Sequence, residues 1–217
     1  MLKRIAIVLA VVAGSLVGAA FTAASSNAAT ANCSGNYNND TFGSVIVQPW
    51  TICRISNSTI TGSVTVKPNA AFETCNDLIK GSVNATQAYV NIDNRTEVDG
   101  SITLLNPGTQ LSGGNNNCST DGPSGYSSYL CPHYIGGNLN IQNTAKYKNY
   151  TEVGDCGWVN IHGSFTISDN KSLVEAGEFS TGGSLVCLNN WPQPEFFPVI
   201  YVGSQNIGCY IPTGGGL

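Results

Sequence analysis

Gly43-Ser44-Val45-Ile46-Val47, Gly62-Ser63-Val64-Thr65-Val66, Gly81-Ser82-Val83-Asn84-Ala85 and Gly100-Ser101-Ile102-Thr103-Leu104 are copies of one pentad, each 19 residues after the last. The pentad returns as Gly137-Asn138-Leu139-Asn140-Ile141, Gly163-Ser164-Phe165-Thr166-Ile167 and Gly183-Ser184-Leu185-Val186-Cys187. A degraded copy, Gly203-Ser204-Gln205-Asn206-Ile207, closes the series. Self-similarity at a fixed period marks a solenoid, whose coils bury their apolar face only against neighbouring coils. Within each copy the apolar residues fall two and four places after the glycine, the period of a strand with one buried face. A strand this short has no partner nearby in sequence, and its equivalent lies one coil away. Parallel stacking of equivalents makes the chain all-β: a single-domain parallel β-helix of about eight 19–20-residue coils with two loop insertions. An antiparallel sandwich would repeat mirrored stations at half the period, whereas here like stations recur.

The glycine suits a corner. A second strand follows in each coil, as in Tyr89-Val90-Asn91-Ile92, and Pro68-Asn69, Asn106-Pro107 and Asp169-Asn170 are further corner signals. Two gaps break the period. Gly100 to Gly137 is 37 residues, and the Gly/Asn/Ser-rich run 111–129 within it reads as a surface excursion tied down by Cys118 and Cys131. Gly137 to Gly163 is 26, one coil plus about seven residues around Lys146 to Tyr150. Insertions in solenoids sit on one face and often carry recognition. Trp191, Phe196 and Phe197 precede the last copy, where aromatic rings could plug the open end of the core.

Residues 1–31 read as an export signal. Lys3 and Arg4 precede an apolar stretch, and Ala29-Thr30-Ala31 forms a small-residue cleavage site. The repeat domain then spans 32–210, and the Gly-rich 211–217 is a flexible tail. Removing the signal leaves 7 basic residues against 13 acidic ones. Such a surface argues against nucleic acid and anionic lipid headgroups, which require clustered Lys and Arg. No later segment is apolar enough for a membrane span. All 8 cysteines follow the signal, and an even number in an exported chain indicates disulfides. Stations in the repeat pair Cys33 with Cys53, Cys131 with Cys156 and Cys187 with Cys209, leaving Cys75 with Cys118. CxxC spacing is absent, so no metal site is expected, and nothing calls for a cofactor.

The [Ile/Val]-x-Gly-Ser-Val-x-Val repeat, over residues 41–208, resembles bacterial β-helix proteins, notably the bactofilin-type polymer-forming domain. It is also similar to uncharacterised secreted proteins of Gram-positive, high-GC bacteria. The bactofilin resemblance implies a scaffold without enzymatic activity and the capacity for self-assembly end to end. The export signal, cysteines and insertions depart from the cytoplasmic bactofilins.

Three function classes follow. The favoured one is a secreted, non-enzymatic protein with a structural, adhesive or cell-surface binding role, located outside the cell. Its partners would be cell-wall polysaccharide or a surface protein, contacted through Tyr126, Tyr129, Tyr134, Tyr147 and Tyr150, which cluster in and near the insertions. The second is a carbohydrate-active lyase or glycosidase using Asp93, Glu97 and Asp99 to hold a cation, with Arg95 as base; fold alone does not license it. The third is ice or glycan binding through outward ladders. One row would be Ser44, Ser63, Ser82, Ser101, Ser164 and Ser184; the other Ile46, Thr65, Asn84, Thr103, Asn140, Thr166 and Val186. These resemble the Thr-x-Thr arrays of β-solenoid ice-binding proteins, with Ser for Thr in one row and interruptions in the other.

Overall fold

The computed structural model describes residues 29–93, 95–108, 128–145, 151–154, 157–197 and 200–211. Every strand in it pairs in parallel with its equivalent one coil away, so the chain is a parallel β-solenoid. It has three faces: a first sheet of nine strands and two further sheets of eight. The first face runs from Ala31–Cys33 through Val45–Val47 and its successors to Asn206–Ile207; the second from Gly35–Asn38 to Glu195–Phe196; the third from Thr41–Phe42 to Ile200–Val202. The core is the space they enclose, filled by inward rows such as Val45, Val64, Val83, Ile102, Leu139, Phe165 and Leu185, all fully buried. Phe179 forms an edge contact with Phe165 at 5.3 Å and a tilted one with Phe196 at 6.3 Å.

The repeat glycine separates two faces. The isoleucine two places before it belongs to a two-residue strand of the third face, such as Thr59–Ile60 or Leu78–Ile79, and the residues after it belong to the first. Glycine is required there because coils touch backbone to backbone. The Gly81 N–H donates to the Gly62 carbonyl at 3.0 Å, and a Cβ on Gly81 would stand 2.5 Å from that oxygen. The adjoining serine row carries the fold. The Ser63 hydroxyl accepts from the Ser82 N–H, Ser82 from Ser101 and Ser101 from Asn138, at 2.9–3.1 Å. Where asparagine replaces serine, its Oδ1 accepts the Ser164 N–H at 2.8 Å. One of the two expected hydroxyl rows is thus committed to capping backbone donors that strand pairing leaves over. The other row is aligned in register from Ile46 to Val186 on the outside of the first face.

The long gaps are single coils. Ile102–Leu105 pairs directly with Leu139–Gln142, which pairs with Phe165–Ser168. The excursion is shorter than the sequence indicates, because Ser128–Leu130 and Tyr134–Ile135 are strands of the second and third faces. Thr151–Val153 likewise belongs to the second face. Ser128 and Thr151 point inward with no exposure, and these polar residues at core stations hid the alternation. Phe196 occupies an ordinary core station beside Ala176, whereas Trp191 is 79% exposed, so Trp191 is no end plug.

Disulfides close both ends of the rod. Cys33–Cys53 ties the first coil to the second, and Cys187–Cys209 ties the last full coil to the closing segment. Cys75 and Cys131 are also disulfide-bonded; their expected partners, Cys118 and Cys156, lie outside the described residues. Cross-links over loops of this size stabilise by about 3 kcal/mol each, largely by restricting the unfolded chain. They indicate an oxidising compartment.

Candidate functional site

The acidic residues proposed to hold a cation, Asp93, Glu97 and Asp99, are not grouped to do so. Asp93 is buried, 5% exposed, where the second face turns into the third. Glu97 lies on the outward row of the third face, between Leu78 and Tyr134, and Glu97, Asp99 and Arg95 are exposed. Among the described residues no three His, Cys, Asp or Glu side chains are grouped to hold a metal ion. Of the tyrosines, Tyr129 is buried on the second face and Tyr134 half-buried on the third, so these two share no surface. Tyr126, Tyr147 and Tyr150 lie outside the described residues.

The corner between the second and third faces carries a ladder of buried polar groups. The Asp40 N–H donates to the Ser58 hydroxyl at 2.9 Å, the Ser58 N–H to Asp77 Oδ1 at 2.6 Å, and the Asp77 N–H to the Thr96 hydroxyl at 3.4 Å. The Thr74 hydroxyl and the Cys75 N–H donate to Asp77 Oδ2. Burial still outweighs these bonds and pushes the Asp77 carboxyl from its ordinary 3.8 up to about 6. Because the folded value is the higher, the folded state binds this proton more tightly. The stabilisation is complete below about pH 3.8 and is lost as pH rises through about 6. Relative to Asp77→Asn, the wild type should therefore lose on the order of 3 kcal/mol between pH 4 and pH 7. Parallel urea melts across that range check this, and identical pH slopes in the two proteins would contradict it. Asp77 is thus a structural group.

The corner between the first and second faces is different. Trp50, Asn69, Gln87, Asn106, Asn143, Asp169 and Asn189 stack there on seven successive coils, all left-handed, with φ between 49° and 65°. Asn and Asp tolerate this conformation better than most residues. Ile102–Leu105 and Leu139–Gln142, the strands that precede the two sequence interruptions, end at this corner on adjacent coils. A cleft of about 600 Å³, lined by described residues of four coils, opens at this corner. Gln87, Asn106, Asn143 and Asp169 contribute one side chain per coil, Leu105 an apolar patch and Lys171 a cation. Beneath it, buried amides hold the backbone. Asn170 Oδ1 accepts the Thr144 N–H at 2.9 Å, and Asn190 Oδ1 accepts the Asn170 N–H at 3.1 Å. Sequence reasoning marked Asn106 and Asp169 as corner residues but did not join them with Gln87 and Asn143 into one site, because these residues stand 19, 37 and 26 positions apart.

The outward row of the second face runs in register from Arg54 through Glu73, Asn91, Tyr129, Glu152 and Glu175 to Glu195. Arg54 Nε meets Glu73 Oε2 at 2.7 Å, an ion pair whose carboxylate is 3% exposed. Comparison with protein-family models, curated proteins and solved structures returns no match for the chain.

Proposed function

We propose that the protein is an exported, non-enzymatic β-solenoid with a structural, adhesive or cell-surface binding role. The observation that carries this reading is the pair of disulfides at the two ends of the rod. They protect the terminal coils, which have a neighbour on one side only and are the places where a solenoid frays. The same bonds are stable outside the reducing cytosol. The apolar segment from Ile5 to Phe21, behind Lys3 and Arg4, supplies a route of export, and it ends before the first strand, Ala31–Cys33, begins. The repeat's serines and buried corner amides serve the backbone, which leaves the interrupted corner as the surface where recognition is concentrated.

Expression of the full chain in a bacterial host with general secretion, followed by mass spectrometry of medium, wall and cytosol fractions, tests this. The expected species begins at Asn32, carries no free thiol and is found in the medium or on the wall. A chain retaining Met1 and confined to the cytosol would overturn the reading.

A further inference from the structure

We infer that the cleft between the first and second faces is a binding site for an uncharged, hydroxylated ligand, the sugar units of a polysaccharide. This rests on the extracellular binding role proposed above and gives that role a place. The first observation is that the cleft's three amides and its lysine hold no other part of the described structure. At the neighbouring corner the asparagines bond to one another: Asn57 Nδ2 donates to Asn38 Oδ1 at 2.8 Å, and Asn76 Nδ2 to Asn57 Oδ1 at 2.6 Å, with Asn57 and Asn76 left-handed. In the cleft, the side chains of Gln87, Asn106, Asn143 and Lys171 make no hydrogen bond or ion pair among the described residues, although the first three occupy the same kind of station. Asp169 and Thr144 are engaged: Asp169 Oδ1 accepts from Asn189 at 3.1 Å, and the Thr144 hydroxyl accepts the Ser172 N–H at 3.0 Å.

The second observation is chemical. Three amides supply donors and acceptors together, which suits hydroxyl groups that need both. Among the described lining residues one carboxylate and one ammonium balance, so these residues select neither anion nor cation. Its volume of about 600 Å³ lies within the range of small-molecule sites, and its amides repeat at the strand spacing of about 4.8 Å. That period suits a polymer with one polar unit per step.

The third observation is Trp191. It lies one coil beyond Lys171 on the same corner, its N–H bonded to the Asn170 carbonyl at 2.8 Å and its side chain 79% exposed. An exposed indole beside an amide-lined cleft offers a flat apolar face to the C–H side of a sugar ring while the amides take its hydroxyls.

The test is calorimetric titration of the exported chain with cellotetraose, chitotetraose and xylotetraose, with tetragalacturonate as the anionic comparison. Gln87→Gly with Asn143→Gly removes two amides while keeping the left-handed backbone, which glycine adopts freely. Trp191→Ala removes the indole and keeps the backbone N–H that bonds the Asn170 carbonyl. Saturable binding of a neutral tetrasaccharide, weakened about tenfold or more by either variant with Tm unchanged, is the expected result. Absence of binding by all three neutral probes, preference for tetragalacturonate, or binding that both variants leave intact would overturn the inference. If the protein still sediments with isolated cell walls in that case, the adhesive reading stands and only the cleft assignment fails.

Discussion

Gly100→Ala is expected to destabilise the protein by about 3–5 kcal/mol and to split its cooperative unfolding. The added Cβ would stand 2.5 Å from Ser82 Oγ, 2.6 Å from the Gly81 carbonyl oxygen and 2.7 Å from its carbon. Two of these are backbone atoms of the preceding coil, held there by the Gly100 N–H bond to the Gly81 carbonyl at 3.1 Å. Relief requires widening the coil spacing, which breaks the ladders on all three faces together. In a solenoid, stability is a sum of coil and interface terms, so a severed interface in mid-rod lets the two halves melt apart. Scanning calorimetry should show a Tm lowered by about 10 °C or more, or two transitions. Thr103→Ala, on the outside of the same coil, should change stability by less than about 1 kcal/mol. Equal melting of the two variants would show that the glycine is not a steric requirement.

Phe179→Ala is expected to cost about 3–5 kcal/mol. The ring has no exposure and is sandwiched between Phe165 and Phe196 on neighbouring positions of the core. Strand pairing on both sides, from Val159 on one coil to Ile200 on the next, prevents the walls from closing over the void. The loss therefore includes a cavity cost as well as the lost transfer energy. Tyr210→Ala, at a side chain 74% exposed, should leave the urea midpoint within about 0.5 kcal/mol of wild type. A Phe179→Ala loss below about 1 kcal/mol would mean that the core at this end is loosely packed.

Legibility in the sequence followed the physics of burial. Val64 and Val66 flank an outward Thr65, so period two was visible on the first face. The third face was not separable, because strands such as Thr59–Ile60 expose one residue and bury one. Two residues cannot display a period, and the corner shows only as the glycine. On the second face Thr74, Ser128 and Thr151 occupy inward stations and Glu73, Asn91 and Glu152 are buried on the outward row, so apolar alternation was lost in both directions. The polar corner ladder did leave a trace: Ser58, Asp77 and Thr96 are each 19 apart, a small-polar period that parallels the glycines. The cleft left only the separate corner signals at Asn106 and Asp169. Its residues are neighbours only because the chain returns after each insertion to the same register, a consequence of parallel pairing.

The central claim is that the rod displays its binding surface at the interrupted corner and nowhere along the regular ladders. Co-sedimentation of the exported chain with isolated bacterial cell walls tests it most directly. Wild type and a Thr65→Val, Thr103→Val, Thr166→Val variant of the first face should sediment alike, while the Gln87→Gly, Asn143→Gly, Trp191→Ala variant should remain in the supernatant. Sedimentation of the corner variant with loss of the threonine variant would contradict the account.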